Sequence, residues 1–273
     1  MPNNNSPIGV FDSGVGGLTV AREIMKETPN EKIIYFGDTA RVPYGSKSKD
    51  TVTKYTRQII RFLMTHDVKA LVIACNTMSA NALEEVEKDI DIPIIGVVKP
   101  GARVATEVTK NKRIGVIATD GTINSGMYER FITNIDSSIE VFGKACPLFC
   151  PLVEEEMLDD PVTDEMARRY LDDLLKKDID TLILGCTHYP LLMPAISKIT
   201  KEKVTLVNPA HETACGLKRL LVENGIESRE SFALRGESNE FYVSDAAEKF
   251  RLFASRILND STLETSKVDI EKY

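Results

Sequence analysis

The sequence predicts an α/β protein of two similar domains, each a parallel sheet covered by helices. A pseudo-two-fold relates the domains, with the functional site in the cleft between them. Two observations give the class and a third gives the duplication. Short runs rich in Val and Ile recur along the chain, and longer segments with helical spacing separate them. The runs of the first half then return in the second half, in the same order.

The runs are "PIGVF" (from Pro7), "KIIYF" (Lys32), "ALVIAC" (Ala70), "IPIIGVV" (Ile92), "RIGVIA" (Arg113), "TLILGC" (Thr181) and "KVTLV" (Lys203). They are continuously apolar rather than alternating, the pattern of strands buried on both faces of a parallel sheet. Thr51 to Thr65 and Asp164 to Lys176 carry the spacing of covering helices, and another helix is expected to begin near Leu18. Further helices are expected around Thr213 to Glu223 and Asp245 to Leu258. The last dozen residues read as a frayed end.

The echo has four parts. "IGVFDSG" from Ile8 resembles "IGVIATD" from Ile114, 106 residues later. "IIYFGD" from Ile33 lies over "IEVFGK" from Ile139 at the same offset. "DVKALVIAC" from Asp67 lies over "DIDTLILGC" from Asp178, and "VVKPGA" from Val97 resembles "LVNPA" from Leu206. One match is the generic sound of a βα unit; four in order imply two similar halves, Ile8 to Lys99 and Arg113 to Asn208. The remainder, from Pro209, is expected to pack back on one half.

Composition narrows the function classes. With 42% hydrophobic and 27% charged residues over 273 positions, the chain has the balance of an ordinary globular protein. A net charge of −7 and the lack of a basic run argue against nucleic acid as a partner. No apolar stretch approaches the roughly 20 residues of a membrane span. "MPNNNSP" has neither a charged nor an apolar leader segment, so no signal peptide is expected. Five widely spaced cysteines do not form a disulfide framework, and a cytoplasmic protein with free thiols is the natural reading.

The chemistry follows from the echo. Ligands of open α/β sheets gather at the carboxyl ends of the strands. Cys75 and Cys186 stand at such ends, in equivalent places of the two halves. Two thiols approaching one ligand from opposite sides suit proton removal on one face of a carbon and proton delivery on the other. The ordinary thiol pKa of about 8.5 makes both protonation states accessible, and neighbours must tune it. Asp12, ending the first strand, and His188 are the ionisable residues best placed to do so.

Either cysteine alone is more often a buried small hydrophobe. The equivalence of the pair, each followed by hydrogen-bonding residues (Asn76 and Thr77; Thr187 and His188), reverses that weighting. Cys146, Cys150 and Cys215 lack this context and are assigned to structure. Cys146 and Cys150 could form half of a metal site, but no second Cys/His pair completes it, so no metal is expected. His66 and His211 are placed at the surface or behind the site.

"DSGVGG" (Asp12 to Gly17) follows a strand and precedes a helix, so its backbone N–H groups can cradle an anion, with the Ser13 hydroxyl beside them. It lacks the last glycine of a dinucleotide fingerprint and the G-K-[ST] of a phosphate loop, and a carboxylate fits the same physics. "RVPYG" (Arg41 to Gly45) is a turn that brings Tyr44 and Gly45 within reach of a ligand.

Taken together, "GVFDSGVGGLTV", "YFGDTARVPYG", "ACNTMSANAL", "GVVKPGA" and "LGCTHYPLL" resemble the bacterial glutamate racemases, from about Pro7 to near Arg256. The histidine after the second Cys-Thr points to glutamate rather than aspartate. The resemblance implies a cofactor-independent enzyme that interconverts L- and D-glutamate and supplies D-glutamate for peptidoglycan. Matched by position, Cys75 takes the proton from D-glutamate and Cys186 from L-glutamate. Asp12 and His188 assist the thiols, with Glu154 a helper near the histidine. Substrate contacts come from Asp12, Ser13, Tyr44, Gly45, Asn76, Thr77, Thr187 and His188. The resemblance further implies an inserted second domain (100–208), the first being 1–99 with 209–273, and a homodimer. Met78 departs from the family pattern, standing where a smaller residue is usual. Two other readings stand beside this one: a two-lobed protein that binds a small dicarboxylate without chemistry, and a racemase of aspartate or a related acid.

Overall fold

The computed structural model describes residues 3–273. Among these residues, ten strands form two sheets. The strands are β1 (Ile8–Asp12), β2 (Ile33–Gly37), β3 (Ala70–Ile73), β4 (Ile94–Gly96), β5 (Arg113–Ala118), β6 (Glu140–Ala145), β7 (Thr181–Gly185), β8 (Thr205–Val207), β9 (Glu240–Val243) and β10 (Ser266–Lys267). One sheet has the order β10-β9-β2-β1-β3-β4 and the other β6-β5-β7-β8, and every pairing is parallel. The α/β class is therefore as expected.

The echo is visible in the topology. β2-β1-β3-β4 and β6-β5-β7-β8 are the same arrangement; the first three echoing segments fall on corresponding strands, and the fourth starts just after β4 and within β8. Even a backbone detail repeats: Asp67 and Asp178, which open the third echo, both take positive φ, at 52° and 55°. An L residue other than Asn or Asp rarely tolerates that conformation.

Each sheet is buried on both faces because its side chains alternate between two cores. Val10 and Val72 pack on one side of the larger sheet with Ala21 and Ile24 of the helix Leu18–Glu27. Phe11, Leu71 and Ile73 pack on the other with Ile59, Phe62 and Leu63 of the helix Lys49–Met64. In the smaller sheet Leu182 and Leu184 join one core and Ile183 the opposite one. Met78 is fully buried among Phe11, Ile73 and Leu63, so the larger side chain is absorbed by the core.

The chain after Pro209 rejoins the first sheet. The helix Pro209–Glu223, its N-terminus capped by the Asn208 side chain, buries Ala214 and Leu217 against the core of β1 and β3. Neither β9 nor β10 is among the runs marked in the sequence, because "EFYV" and "SK" are too short and too polar to stand out. The end of the chain is not frayed. Ile270 is buried, Glu271 accepts hydrogen bonds from Arg41 and Gln58, and the ring of Tyr273 meets that of Phe62 edge-on. Short apolar anchors and one carboxylate hold a segment whose composition reads as a loose tail. Among the described residues, no helix is long and apolar enough to cross a membrane, and all five cysteines are free.

Candidate active site

The carboxyl ends of β1, β3, β5 and β7 face a cavity of about 250 Å³ between the two sheets. Ligand pockets for larger molecules run from about 300 to 1,000 Å³, so a compact ligand fits best. Cys75 lies two residues past β3 and begins the short helix Asn76–Asn81; Cys186 follows β7 directly. Both line the cavity, as do Ser13, Tyr44, Gly45, Asn76, Thr77, Glu154, Thr187 and His188. Of the residues singled out in the sequence, Asp12 alone is not part of the lining. It is fully buried behind it.

Contacts across the cleft hold the lining in register. The Thr187 hydroxyl donates to Asp12 Oδ2 at 3.2 Å, and the Thr19 hydroxyl donates to the Thr187 carbonyl at 3.2 Å. The Tyr128 hydroxyl donates to Asn76 Oδ1 at 2.7 Å, and Thr77 Oγ1 lies 2.9 Å from Thr119 Oγ1. The Gly121 amide donates to the Gly45 carbonyl at 2.8 Å. Two glycines are required by this closeness. A Cβ on Gly16 would fall 2.4 Å from Thr187 Oγ1, and one on Gly45 would fall 2.6 Å from Thr119 Cβ.

Two expectations change. Gly14 N donates to Asp12 Oδ1 at 2.8 Å, and the Gly17 amide also serves that carboxylate. The "DSGVGG" loop therefore cradles an anion from its own chain, which removes the main support for a binding protein without chemistry. The Tyr44 hydroxyl is likewise committed, donating to Asp38, which also pairs with Arg41.

The two thiols have different surroundings. Burial, then the charge of Asp12, pushes the Cys75 thiol up to about 12. Among the described residues its one side-chain hydrogen bond is to Ser13 Oγ at 3.6 Å. Cys186 Sγ lies 3.7 Å from His188 Nδ1, and His188 Nε2 lies 3.0 Å from Glu154 Oε1. The Cys150 contact and burial raise the Cys186 thiol, while His188 pulls it down. Burial alone would depress the imidazole, but the bonds to Cys186 and Glu154 outweigh it and push His188 up to about 10. Glu154 is held below the usual carboxylate range, first by its hydrogen bond from His188. Sulfur and ring thus share one proton, and Glu154 supports the imidazolium whenever the proton is on nitrogen.

Cys150 is not the structural residue expected: it lines the cavity with its sulfur 3.5 Å from that of Cys186. Cys146, by contrast, is fully buried in the core. Cys150 and Glu154 are four residues apart on the helix Phe149–Glu154, hence on one face; that spacing is a signal the sequence does carry. Thr119 and Tyr128 were also missed. Thr119 lies 106 residues after Ser13 in the echo, so the repeat itself could have found it. Tyr128 carries no such mark. His66 packs against the rings of Phe62 and Tyr242, and His211 is exposed on a helix surface.

Comparison with known proteins gives a family and close relatives. Residues 8–215 match the Asp/Glu/hydantoin racemase family. A glutamate racemase of Geobacter metallireducens is 47% identical over 264 residues, 97% of each chain. A crystal structure of a Bacillus anthracis glutamate racemase superposes with a TM-score of 0.92 at 41% identity, covering 98% of both chains. A Francisella tularensis glutamate racemase, solved in complex with D-glutamate, gives 0.91 at 39% identity, over 99% of this chain and all of that one.

Proposed function

The chain belongs to the Asp/Glu/hydantoin racemase family, and on that premise we propose that it interconverts L- and D-glutamate without a cofactor, by proton transfer between two thiols. One observation carries the mechanism: Cys75 and Cys186, at equivalent strand ends of two similar sheets, line the same small cavity.

In the L-to-D direction the proton shared by Cys186 and His188 rests on Nδ1, leaving Cys186 as the thiolate, and Glu154 stabilises the imidazolium from the far nitrogen. The thiolate then removes the α-proton of L-glutamate. Cys75, held as a thiol by burial and by Asp12, delivers a proton to the opposite face of the α-carbon. Cys75 is left as a thiolate and Cys186 as a thiol, the starting point for the reverse reaction. A thiolate so raised is a strong base, which the weakly acidic α-proton demands. Asp12 acts on Cys75 through charge, not contact, since its oxygens bond to the Gly14 amide and to Thr187.

Ser13, Gly45, Thr77 and Thr187 frame the substrate. Tyr44 serves as a wall, its hydroxyl being spent on Asp38. Tyr128 occupies Asn76 Oδ1, which leaves Asn76 Nδ2 as the donor for a substrate carboxylate. In the cell the D-glutamate would feed peptidoglycan synthesis, and the proposal includes a cytoplasmic homodimer. The domain division at 1–99 with 209–273, and 100–208, belongs to the same reading.

The test is incubation with L-glutamate in heavy water, no cofactor added. D-glutamate carrying α-deuterium is expected. Binding without turnover, or turnover only of aspartate, would replace this reading with one of its two rivals.

A further inference from the structure

The mechanism above uses Cys186, His188 and Glu154 but leaves Cys150 without a task. Its sulfur lies 3.5 Å from Cys186 Sγ, which lies 3.7 Å from His188 Nδ1, and the three donor atoms all fall within 4.8 Å of one another. A tetrahedral zinc ion with sulfur bonds of about 2.3 Å and nitrogen bonds of about 2.0–2.1 Å sets its ligand atoms roughly 3.5–3.8 Å apart. Two of the three spacings match, and the third, between Cys150 and His188, lies within 4.8 Å.

We propose that Cys150, Cys186 and His188 form a binding site for a soft divalent metal ion of the zinc class, whose occupation stops the enzyme. The spacing argument against zinc in the sequence considered only Cys146 and Cys150; the fold supplies Cys150 with two partners from the loop after β7 instead. Softness selects the ion, because two sulfurs and one imidazole suit zinc and disfavour magnesium or calcium. Glu154 already holds the outer nitrogen of His188 at 3.0 Å, the carboxylate–imidazole arrangement that orients metal-binding histidines. Two thiolates cancel the charge of a divalent ion, so the filled site adds no net charge to the cavity wall. All three residues line the cavity, which has room for a water or a substrate oxygen as the fourth ligand.

Binding is an exchange of protons for metal. Both sulfurs coordinate as thiolates and the ring as neutral imidazole, so the protons they carried leave to solvent. No electron moves. The ion then occupies the sulfur that must accept the substrate proton, so racemisation stops until a chelator removes it. A second cluster, Glu27, His211 and Cys215, does not compare: Cys215 approaches one ring nitrogen of His211 and Glu27 the other, so the two cannot share an ion through that ring.

This inhibition rests on Cys186 being catalytic, but the binding does not, and the experiment separates them. The fully reduced, metal-free protein is titrated with cobalt(II) as a spectroscopic probe. One equivalent is expected to give the intense visible bands of a tetrahedral site and a thiolate-to-cobalt charge-transfer band. Cys150→Val should abolish both and weaken zinc binding, measured against a chromophoric chelator, by at least about tenfold. In the racemase assay zinc should inhibit reversibly, and the variant should need at least about tenfold more of it. Octahedral cobalt, no stoichiometric binding, or equal zinc affinity in the variant would overturn the site. Tight binding with full activity would overturn the inhibition. If the metal-free protein does not racemise glutamate at all, the proposed function fails while the cobalt spectrum still decides the metal site.

Discussion

Gly16, after β1, and His188, after β7, meet across the cleft so closely that no side chain fits on Gly16. A Cβ on Gly16 would stand 2.6 Å from His188 Nδ1, the atom that faces Cys186. Gly16→Ala must therefore push the histidine away or open the cleft. A displacement of about 1 Å can cost about a hundredfold in rate, and a loss of that order in kcat/KM is expected, with far-UV circular dichroism unchanged. Activity within twofold of the parent would show that the closeness is irrelevant.

The two thiols predict asymmetry. Cys186→Ser should impair α-proton removal from L-glutamate by roughly 100-fold or more beyond its effect on D-glutamate, the scale of a lost acid–base group. Cys75→Ser should do the reverse. Deuterium wash-in measured from each enantiomer separately reads this directly, and equal losses would sink the two-face assignment.

Cys75 should be unreactive at rest. Its pKa of about 12 keeps the thiol protonated across the neutral range, so alkylation by iodoacetamide in the substrate-free protein should be slow at pH 7. The rate should climb about tenfold per pH unit towards 12, because the thiolate fraction does. The same upward shift makes folding stability fall as pH rises from the unfolded thiol value through the folded one. Asp12→Asn removes a negative charge and should speed alkylation at fixed pH. Peptide mass spectrometry of the Cys75 peptide follows both; a slower variant would contradict the assigned influence of Asp12.

Glu154 and His188 are tied at 3.0 Å, and the carboxylate is one reason the imidazole holds its proton up to about 10. Glu154→Gln should move the His188 titration down in pH, seen by NMR of its ring protons. Turnover from L-glutamate should fall more than turnover from D-glutamate. An unmoved titration would mean that the thiol alone sets the histidine.

Removing residues 266–273 should destabilise the protein. Burial of an isoleucine such as Ile270 contributes about 1.5–3 kcal/mol, and the edge-on Tyr273–Phe62 pair about 0.5–1.5 kcal/mol. A loss of roughly 2–4.5 kcal/mol on those two scales should show as a lower urea midpoint with little change in slope. KM should also rise, because Glu271 bonds to Arg41, Arg41 to Asp38, and Asp38 to Tyr44 in the cavity wall. An unchanged midpoint would restore the picture of a loose end.

Much of this was readable in advance, for reasons tied to particular residues. Val10, Leu71 and Leu182 sit in short, nearly continuous apolar runs, the pattern of a strand covered on both faces, so the class was legible. The recurrence of "ALVIAC" in "TLILGC" marked Cys75 and Cys186 as a pair. β9 and β10 were not legible, since edge strands of two to four residues carry too little pattern to be seen.

What the sequence by itself determined is local or periodic: the strand runs, the duplication, and the thiols at strand ends. Those signals survive because they lie within a few residues of one another or repeat at a near-constant offset. Only the tertiary structure decided which residues meet across the cleft. It spent the "DSGVGG" amides on Asp12, tied the Tyr44 hydroxyl to Asp38, and brought Cys150 to within 3.5 Å of a sulfur 36 residues away. Such contacts depend on how two sheets pack, and packing is set by the sum of many side chains rather than by any one motif.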